Sequence, residues 1–243
     1  GHARAGFGLY ASPIVEVHLG DTRSRDGSWG LSFRHLSSAG STGKDSVGVD
    51  EGWSKNAVNG YFRRFVDRSS VTASVFLERD AWGLHGLDLT AASEGLFSAP
   101  NDRQNYGTIG AALRLQNHER DSSKVHRNLA LSYSRLSIGV SPTPGNLPQP
   151  DILQSPGREN LIEATGKLHT HRDGERYDLD FEAHLTGSQL EAVGDSTAAN
   201  INRSAALIGV RPSVTKERGA YMVKAGAGLW IDARGAQSFH FYP

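Results

Sequence analysis

The segment RHLSS, residues 34–38, holds a histidine and two serines that could form a hydrolytic site. Such a site needs a hydroxyl within hydrogen-bond reach of the imidazole and a third group that orients the ring. On a strand, His35 and Ser37 lie on one face because successive side chains alternate. No Gly-x-Ser-x-Gly elbow is present. We therefore interpret the segment as a strand end that leads into a loop, and keep hydrolysis as an alternative.

A row of carboxylates alternates with apolar residues in the segment ERYDLDFEAHL. Its members are Asp178, Asp180 and Glu182. Such a row could attract cations or hold calcium, but side chains on one strand are spread over about 13 Å, too far for a single ion. We therefore interpret the row as a charge-paired wall.

Metal and cofactor chemistry has little support in the residues. His169 and His171 could be two ligands of one metal ion, but no further ligand stands at a suitable spacing, and a surface turn is the better interpretation. The chain has no cysteine, which excludes disulfide and thiol chemistry. We expect neither a metal nor a cofactor.

The segments that carry these residues alternate between apolar and polar side chains, which is the pattern of a β-strand. About a dozen such segments recur along the chain, many of them ~10–13 residues long, and helical periodicity is nearly absent. Ordinary strands have ~5–6 residues, whereas a tilted strand that spans a membrane needs ~9–11. The pattern predicts an all-β fold of about a dozen antiparallel strands.

The connections between these segments alternate in length, short and polar turns with longer loops. The predicted long loops are residues 37–52, 80–102, 141–157 and 188–200. This alternation is typical of an up-and-down transmembrane β-barrel, in which short turns face the periplasm and long loops face outside. We predict one barrel domain, or one barrel segment, over residues 1–243.

The two faces of the predicted strands indicate what surrounds them. The apolar face consists of modest side chains, which suits acyl chains better than a densely packed core. The other face is charged, and a hairpin register summing to about 345 would put Lys167 opposite Asp178 and His169 opposite Arg176. The predicted lumen-lining residues are Lys167, His169, Asp178, Asp180 and Glu182.

Five aromatic residues could form the girdles that flank a lipid-facing band. They are Trp29, Tyr61, Tyr106, Trp230 and Tyr242. The alternative is that they are ordinary strand aromatics. The charge is balanced, with 26 basic and 26 acidic residues, so we expect no nucleic-acid partner.

Three stretches resemble a known family. RAGFGLYASPIVEVHLGDTRSRDGSWGLSFRHLSSAG (4–40) is similar to the start of the barrel in Bacteroidota-type outer-membrane proteins, the porin-like or TonB-dependent-receptor-like barrels. These share an AGFG-x-Y-x-SP opening, an R-S-x-x-G-S-x-G turn and an HLSS-x-G strand end. KAGAGLWIDARGAQSFHFYP (224–243) and SKNAVNGYFRRF (54–65) resemble later stretches. The resemblance implies an outer-membrane β-barrel of which this chain is an internal piece, and it implies no catalytic residues.

These observations predict an outer-membrane β-barrel protein that is not an enzyme. It would permeate small polar solutes passively or serve as a scaffold for membrane partners. Its expected partners are outer-membrane lipid and, as further candidates, other membrane-complex subunits. The alternatives are a soluble ligand-binding β-barrel or sandwich, and an outer-membrane hydrolase that uses His35 and a nearby serine.

Overall fold

The computed structural model describes residues 1–39, 52–83, 103–121, 123–140, 157–190, 201–234 and 236–242, which contain thirteen strands and no helix. The strands are β1 (His2–Gly8), β2 (Ser12–Asp21), β3 (Gly27–Ser38), β4 (Trp53–Val66), β5 (Ser69–Gly83), β6 (Arg103–Asn117), β7 (His126–Val140), β8 (Gly157–Arg172), β9 (Glu175–Leu190), β10 (Ile201–Arg218), β11 (Tyr221–Gly226), β12 (Gly228–Arg234) and β13 (Ala236–Tyr242).

The strands form one antiparallel up-and-down sheet in chain order from β1 to β10, followed by β12 and β13, while β11 pairs with β10. The predicted all-β antiparallel fold is confirmed. Within the described ranges, no pairing joins β1 to β13, and strands contact only the strands they pair with. No second sheet therefore covers this one in that part of the chain, as it would in a sandwich.

A search of the described residues for a helix long and apolar enough to cross a membrane finds none.

Strands β11 and β12 are two parts of one strand, because both pair with β10 in the same register. The interruption is at Ala227, whose N–H donates to the carbonyl of Pro212 at 3.1 Å. Proline has no N–H to return that bond, so the ladder is broken at this point. Alternation along residues 219–232 by itself predicts one uninterrupted strand there, so the interruption is a difference from the sequence pattern.

Short connections between strands lie at one edge of the sheet. They are residues 22–26, 67–68, 118–125, 173–174 and 219–220. The strand ends that flank the longer connections lie at the opposite edge, together with the short link of residues 9–11 between β1 and β2. The predicted loops 37–52, 80–102, 141–157 and 188–200 fall mostly outside the described residues. Their margins belong to strands instead, since residues 37–38, 80–83 and 188–190 are paired.

The hairpin of β8 and β9 turns on two residues with left-handed backbone, Asp173 (φ 54°) and Gly174 (φ 79°). Positive φ at both central residues is the type I′ geometry that joins antiparallel strands most closely. This turn pairs Lys167 with Asp180 and His169 with Asp178. The register predicted for this hairpin was wrong by two residues, because it placed the turn one residue too early.

Candidate functional site

One face of the sheet is apolar across every strand, and we call it the apolar face. Residues directly opposite one another share a face, so the strand register carries one row from β2 to β12. That row is Leu19, Leu31, Gly60, Val75, Ala111, Tyr133, Ile162, Leu185, Ala206 and Ala233. Val75 is 59% exposed, and Ala81 is the sole buried apolar side chain among the described residues. The apolar residues therefore form an uncovered surface and no enclosed core.

The apolar face ends along a boundary toward the long-loop edge. On each of the central strands, the next residue on this face after the last large apolar side chain is polar or glycine. The polar residues of this boundary are His35 after Phe33, Asn56 after Val58, Arg79 after Leu77, Arg135 after Tyr133 and Asn160 after Ile162. The apolar belt thus has a defined upper edge on at least five neighbouring strands.

The opposite face, which we call the polar face, carries the residues predicted to line a lumen. Lys167 and His169 on β8 and Asp178 and Asp180 on β9 lie there in directly facing pairs. Glu182 lies on the same face, opposite Thr165. Sequence reasoning therefore grouped these five residues on one face as the structure does, although with the wrong partners.

Carboxylates on the polar face have arginine or histidine neighbours. The guanidinium of Arg176 lies 2.8 Å from Asp178, and that of Arg211 on β10 lies 3.9 Å from Glu182. His184 Nδ1 lies 3.0 Å from Glu163 across the β8–β9 pair. Since Arg176 and Arg211 are substantially exposed, each of their two ion pairs contributes at most about 1 kcal/mol to stability. The arrangement is a wall of mixed charge.

A second charged cluster lies on the same face, on the first three strands. Glu16 on β2 accepts a hydrogen bond from Arg4 Nε on β1 at 2.6 Å, and its other carboxylate oxygen forms an ion pair with Arg34 Nε on β3 at 3.2 Å. The residue Glu16 is only 9% exposed, so two guanidinium groups share one largely buried carboxylate. Sequence reasoning missed this cluster. The alternation of each strand already placed the three residues on polar positions, but their pairing depends on two separate registers.

Histidines also meet on the polar face near the short turns. The rings of His126 and His169 are stacked, with centroids 4.6 Å apart and an interplanar angle of 3°. The rings of His169 and His171 meet edge to face at 6.3 Å. In the described ranges, no group of three metal-ligating side chains is close enough to hold an ion.

The five aromatic residues proposed as girdles do not share a face. Trp29 lies on the apolar face and is 45% exposed. Tyr61 and Trp230 lie on the polar face, where each ring covers a glycine of the neighbouring strand, Gly30 and Gly209 respectively. The backbone glycine leaves room for the ring, an arrangement that stabilises twisted sheets.

The other two proposed aromatics also have polar-face positions. Tyr106 is opposite Asp80 and meets the ring of Trp82 edge to face at 5.1 Å. Tyr242 is opposite Gly228 in the register. Of the five, only Trp29 therefore occupies a position on the apolar face.

His35, Ser37 and Asn56 form a hydrogen-bonded chain at the upper edge of the apolar belt. His35 Nε2 lies 3.1 Å from Ser37 Oγ, and His35 Nδ1 lies 2.7 Å from Asn56 Oδ1. All three side chains are half-buried. Asn56 was missed in the sequence because it is 21 residues away, on β4, and is brought opposite His35 only by the β3–β4 register.

Comparison with protein-family models and with curated proteins finds no match for this chain.

Proposed function

We propose that this chain forms the wall of a β-barrel in a bacterial outer membrane, with the apolar face in lipid and the polar face toward a hydrated interior. The single observation that carries the proposal is the uncovered apolar face. Val75 is 59% exposed and Leu131 is 52% exposed, and both point from that face. Soluble monomers rarely expose apolar patches larger than a few hundred square ångströms.

The height of the apolar belt supports a membrane. On β9 the apolar side chains run from Tyr177 to Leu185, eight residues apart (185 − 177), which corresponds to about 27 Å along a strand. A strand tilt of roughly 40° reduces this length to about 21 Å along the membrane normal. Outer-membrane barrels have an apolar band of about 25 Å, so the belt has nearly the expected height.

Lipid also requires every backbone polar group to be paired within the protein. Strands β2 to β9 fit this requirement, because each has a paired strand on both sides. Strand β10 pairs with β9 on one side and with β11 and β12 on the other, where the ladder is broken at Ala227. Strands β1 and β13 each have one partner among the described residues, so in lipid they must pair with each other or with further strands.

The mixed charge of the polar face suits a hydrated interior that permeates small polar solutes, and equally a wall that supports membrane partners. Both anions and cations would find complementary groups there, since Glu182 and Arg211, or Asp178 and Arg176, lie side by side. A soluble ligand-binding barrel would instead place its apolar side chains around the ligand and expose polar ones to water.

Tryptophan quenching tests the membrane assignment. The chain has four tryptophans, so variants that keep only Trp29 or only Trp230 can be made by changing the others to Phe. In vesicles with brominated acyl chains, we expect strong quenching of Trp29 and weak quenching of Trp230, because the two rings lie on opposite faces.

Recovery of both variants in the aqueous fraction, with neither tryptophan quenched, would contradict the membrane assignment and favour the soluble alternative. Ion conductance in planar bilayers then separates the two membrane roles: steady conductance supports permeation, and a silent but inserted protein supports a scaffold.

A further inference from the structure

We propose that Ser37 and His35, held by Asn56, form a catalytic site that hydrolyses acyl esters of membrane lipids. The inference rests on the proposed membrane position of the sheet, and it goes beyond permeation or support. Its starting point is the hydrogen-bonded chain from Ser37 Oγ to His35 Nε2 and from His35 Nδ1 to Asn56 Oδ1. A nucleophile, a base and an orienting group are the three parts that serine hydrolysis needs.

The chemistry of the amide oxygen determines which nitrogen of His35 is the base. Asn56 Oδ1 can only accept a hydrogen bond, so His35 Nδ1 must carry the proton that it donates. In the neutral ring, Nε2 then has the free lone pair and accepts from the hydroxyl of Ser37. This is the tautomer in which a histidine can remove the proton of a serine hydroxyl.

The position of the site points to lipid esters. His35 and Asn56 directly follow the last large apolar residues of their strands, Phe33 and Val58, on the face proposed to contact lipid. In a bilayer, the ester groups lie at this same level, between the hydrocarbon and the polar headgroups. An acyl chain along the apolar belt would therefore bring its ester carbonyl close to Ser37.

A cationic side chain lies beside the site on the same face. Arg79 on β5 is directly opposite Asn56 and is exposed. Guanidinium groups bind phosphate through paired charge-assisted hydrogen bonds. The phosphate of a lipid headgroup would have a partner there while the ester lies at Ser37. A phosphate together with ester-linked acyl chains is present both in glycerophospholipids and in lipid A.

The reaction balances without a cofactor. Ser37 Oγ attacks the ester carbonyl and its proton moves to His35 Nε2. The carbon–oxygen bond to the lipid alcohol breaks, and that alcohol leaves with the proton from Nε2. Water then attacks the acyl-serine, giving one proton to Nε2, and the fatty acid departs as Ser37 Oγ regains that proton. Asn56 touches no reacting atom and is a positioning residue.

A serine-directed fluorophosphonate probe tests the nucleophile on the whole chain folded in detergent micelles, independently of insertion into a bilayer. We expect covalent labelling at Ser37, located by peptide mass spectrometry, and its loss in Ser37→Ala and His35→Ala. Ser54→Ala is the matched control, because Ser54 is directly opposite Ser37 on the same face and should leave labelling unchanged. Heat-dependent gel mobility shows that each variant is folded.

Lipid vesicles test the substrate. We expect fatty acid release either from vesicles of phosphatidylethanolamine and phosphatidylglycerol or from vesicles that contain lipid A. The vesicles that release fatty acid identify the substrate lipid. Asn56→Leu should lower kcat on the order of 10³-fold with little change in KM, and Asn56→Asp, which keeps an accepting oxygen, should restore most of it.

The proposal is overturned if folded protein is not labelled, if Ser37→Ala still releases fatty acid, or if neither vesicle yields any. These outcomes differ from failure of the proposed membrane position, which is read from the quenching of Trp29. If Trp29 is quenched but Ser37 is inert, the proposed membrane barrel stands and the proposed hydrolase is wrong.

Discussion

Val75 on β5 and Leu131 on β7 point from the same face of the sheet, on two strands separated by β6, and each residue is more than half exposed. Between them lies β6, whose Ala111 and Leu113 share that face. Nothing within the described residues covers these side chains, because strands contact only their paired neighbours. Whether lipid or water surrounds this face distinguishes the proposed membrane barrel from the soluble alternative.

Leu131→Arg tests what surrounds that face. At the middle of a lipid belt, an arginine costs about 2–4 kcal/mol of the free energy of unfolding, because its charge must leave water. We expect a loss of this size when unfolding from vesicles is measured in urea or guanidinium.

Ser132→Arg is the matched control for Leu131→Arg. Ser132 is the next residue on the polar face, and its hydroxyl donates to Glu163 at 3.3 Å, so an arginine there gains an anionic neighbour. We expect a change within about 0.5 kcal/mol. Equal, small effects for both variants would indicate that Leu131 faces water.

Gly209→Ala tests the packing of Trp230. A methyl group at Gly209 would lie 2.5 Å from Cε3 of that indole, too close for any real contact. We expect a destabilisation of about 1–3 kcal/mol, because the ring must leave its position over the strand. Fluorescence of Trp230 and the free energy of unfolding are the measurements.

Gly187→Ala is the comparison for that variant, since nothing lies within 4 Å of a methyl group at Gly187. Alanine restricts the unfolded chain more than glycine does, so we expect stability to be unchanged or to rise by about 0.5–1 kcal/mol. A loss at Gly187 as large as that at Gly209 would show that the ring contact is not the cause.

Gly174→Ala tests the tight turn between β8 and β9. Gly174 has a φ of 79°, and no atom lies within 4 Å of the position that a methyl group would take. The methyl group of an alanine would therefore meet no atom, but the alanine itself would have to adopt a left-handed backbone conformation. We expect a loss of about 1–2 kcal/mol. Gly107→Ala, also with open space but without positive φ, should cost nothing. Equal effects at both positions would mean that backbone strain in the turn does not set the stability of the hairpin.

Local chemistry was enough to predict the strands and their two faces. In β9, Tyr177, Leu179 and Leu185 alternate with carboxylates, and a period of two leaves no other regular structure. The break at Ala227 was not predicted, because it depends on Pro212 of the facing strand. Alternation along their strands is enough to place Tyr61 and Trp230 on the polar face. They were nevertheless predicted to be girdle residues, because that prediction used only their residue type.

The sequence by itself determined that the chain forms about a dozen antiparallel strands and which residues of each strand share a face, because alternation along a chain is a local property of the backbone. Only the tertiary structure decided which residues of neighbouring strands are opposite one another. A shift of two residues keeps every side chain on its face, so alternation cannot detect it. The turn at Asp173 and Gly174 set the pairing of Lys167 with Asp180. The β3–β4 register brought Asn56 to His35 across a connection whose length does not specify pairing.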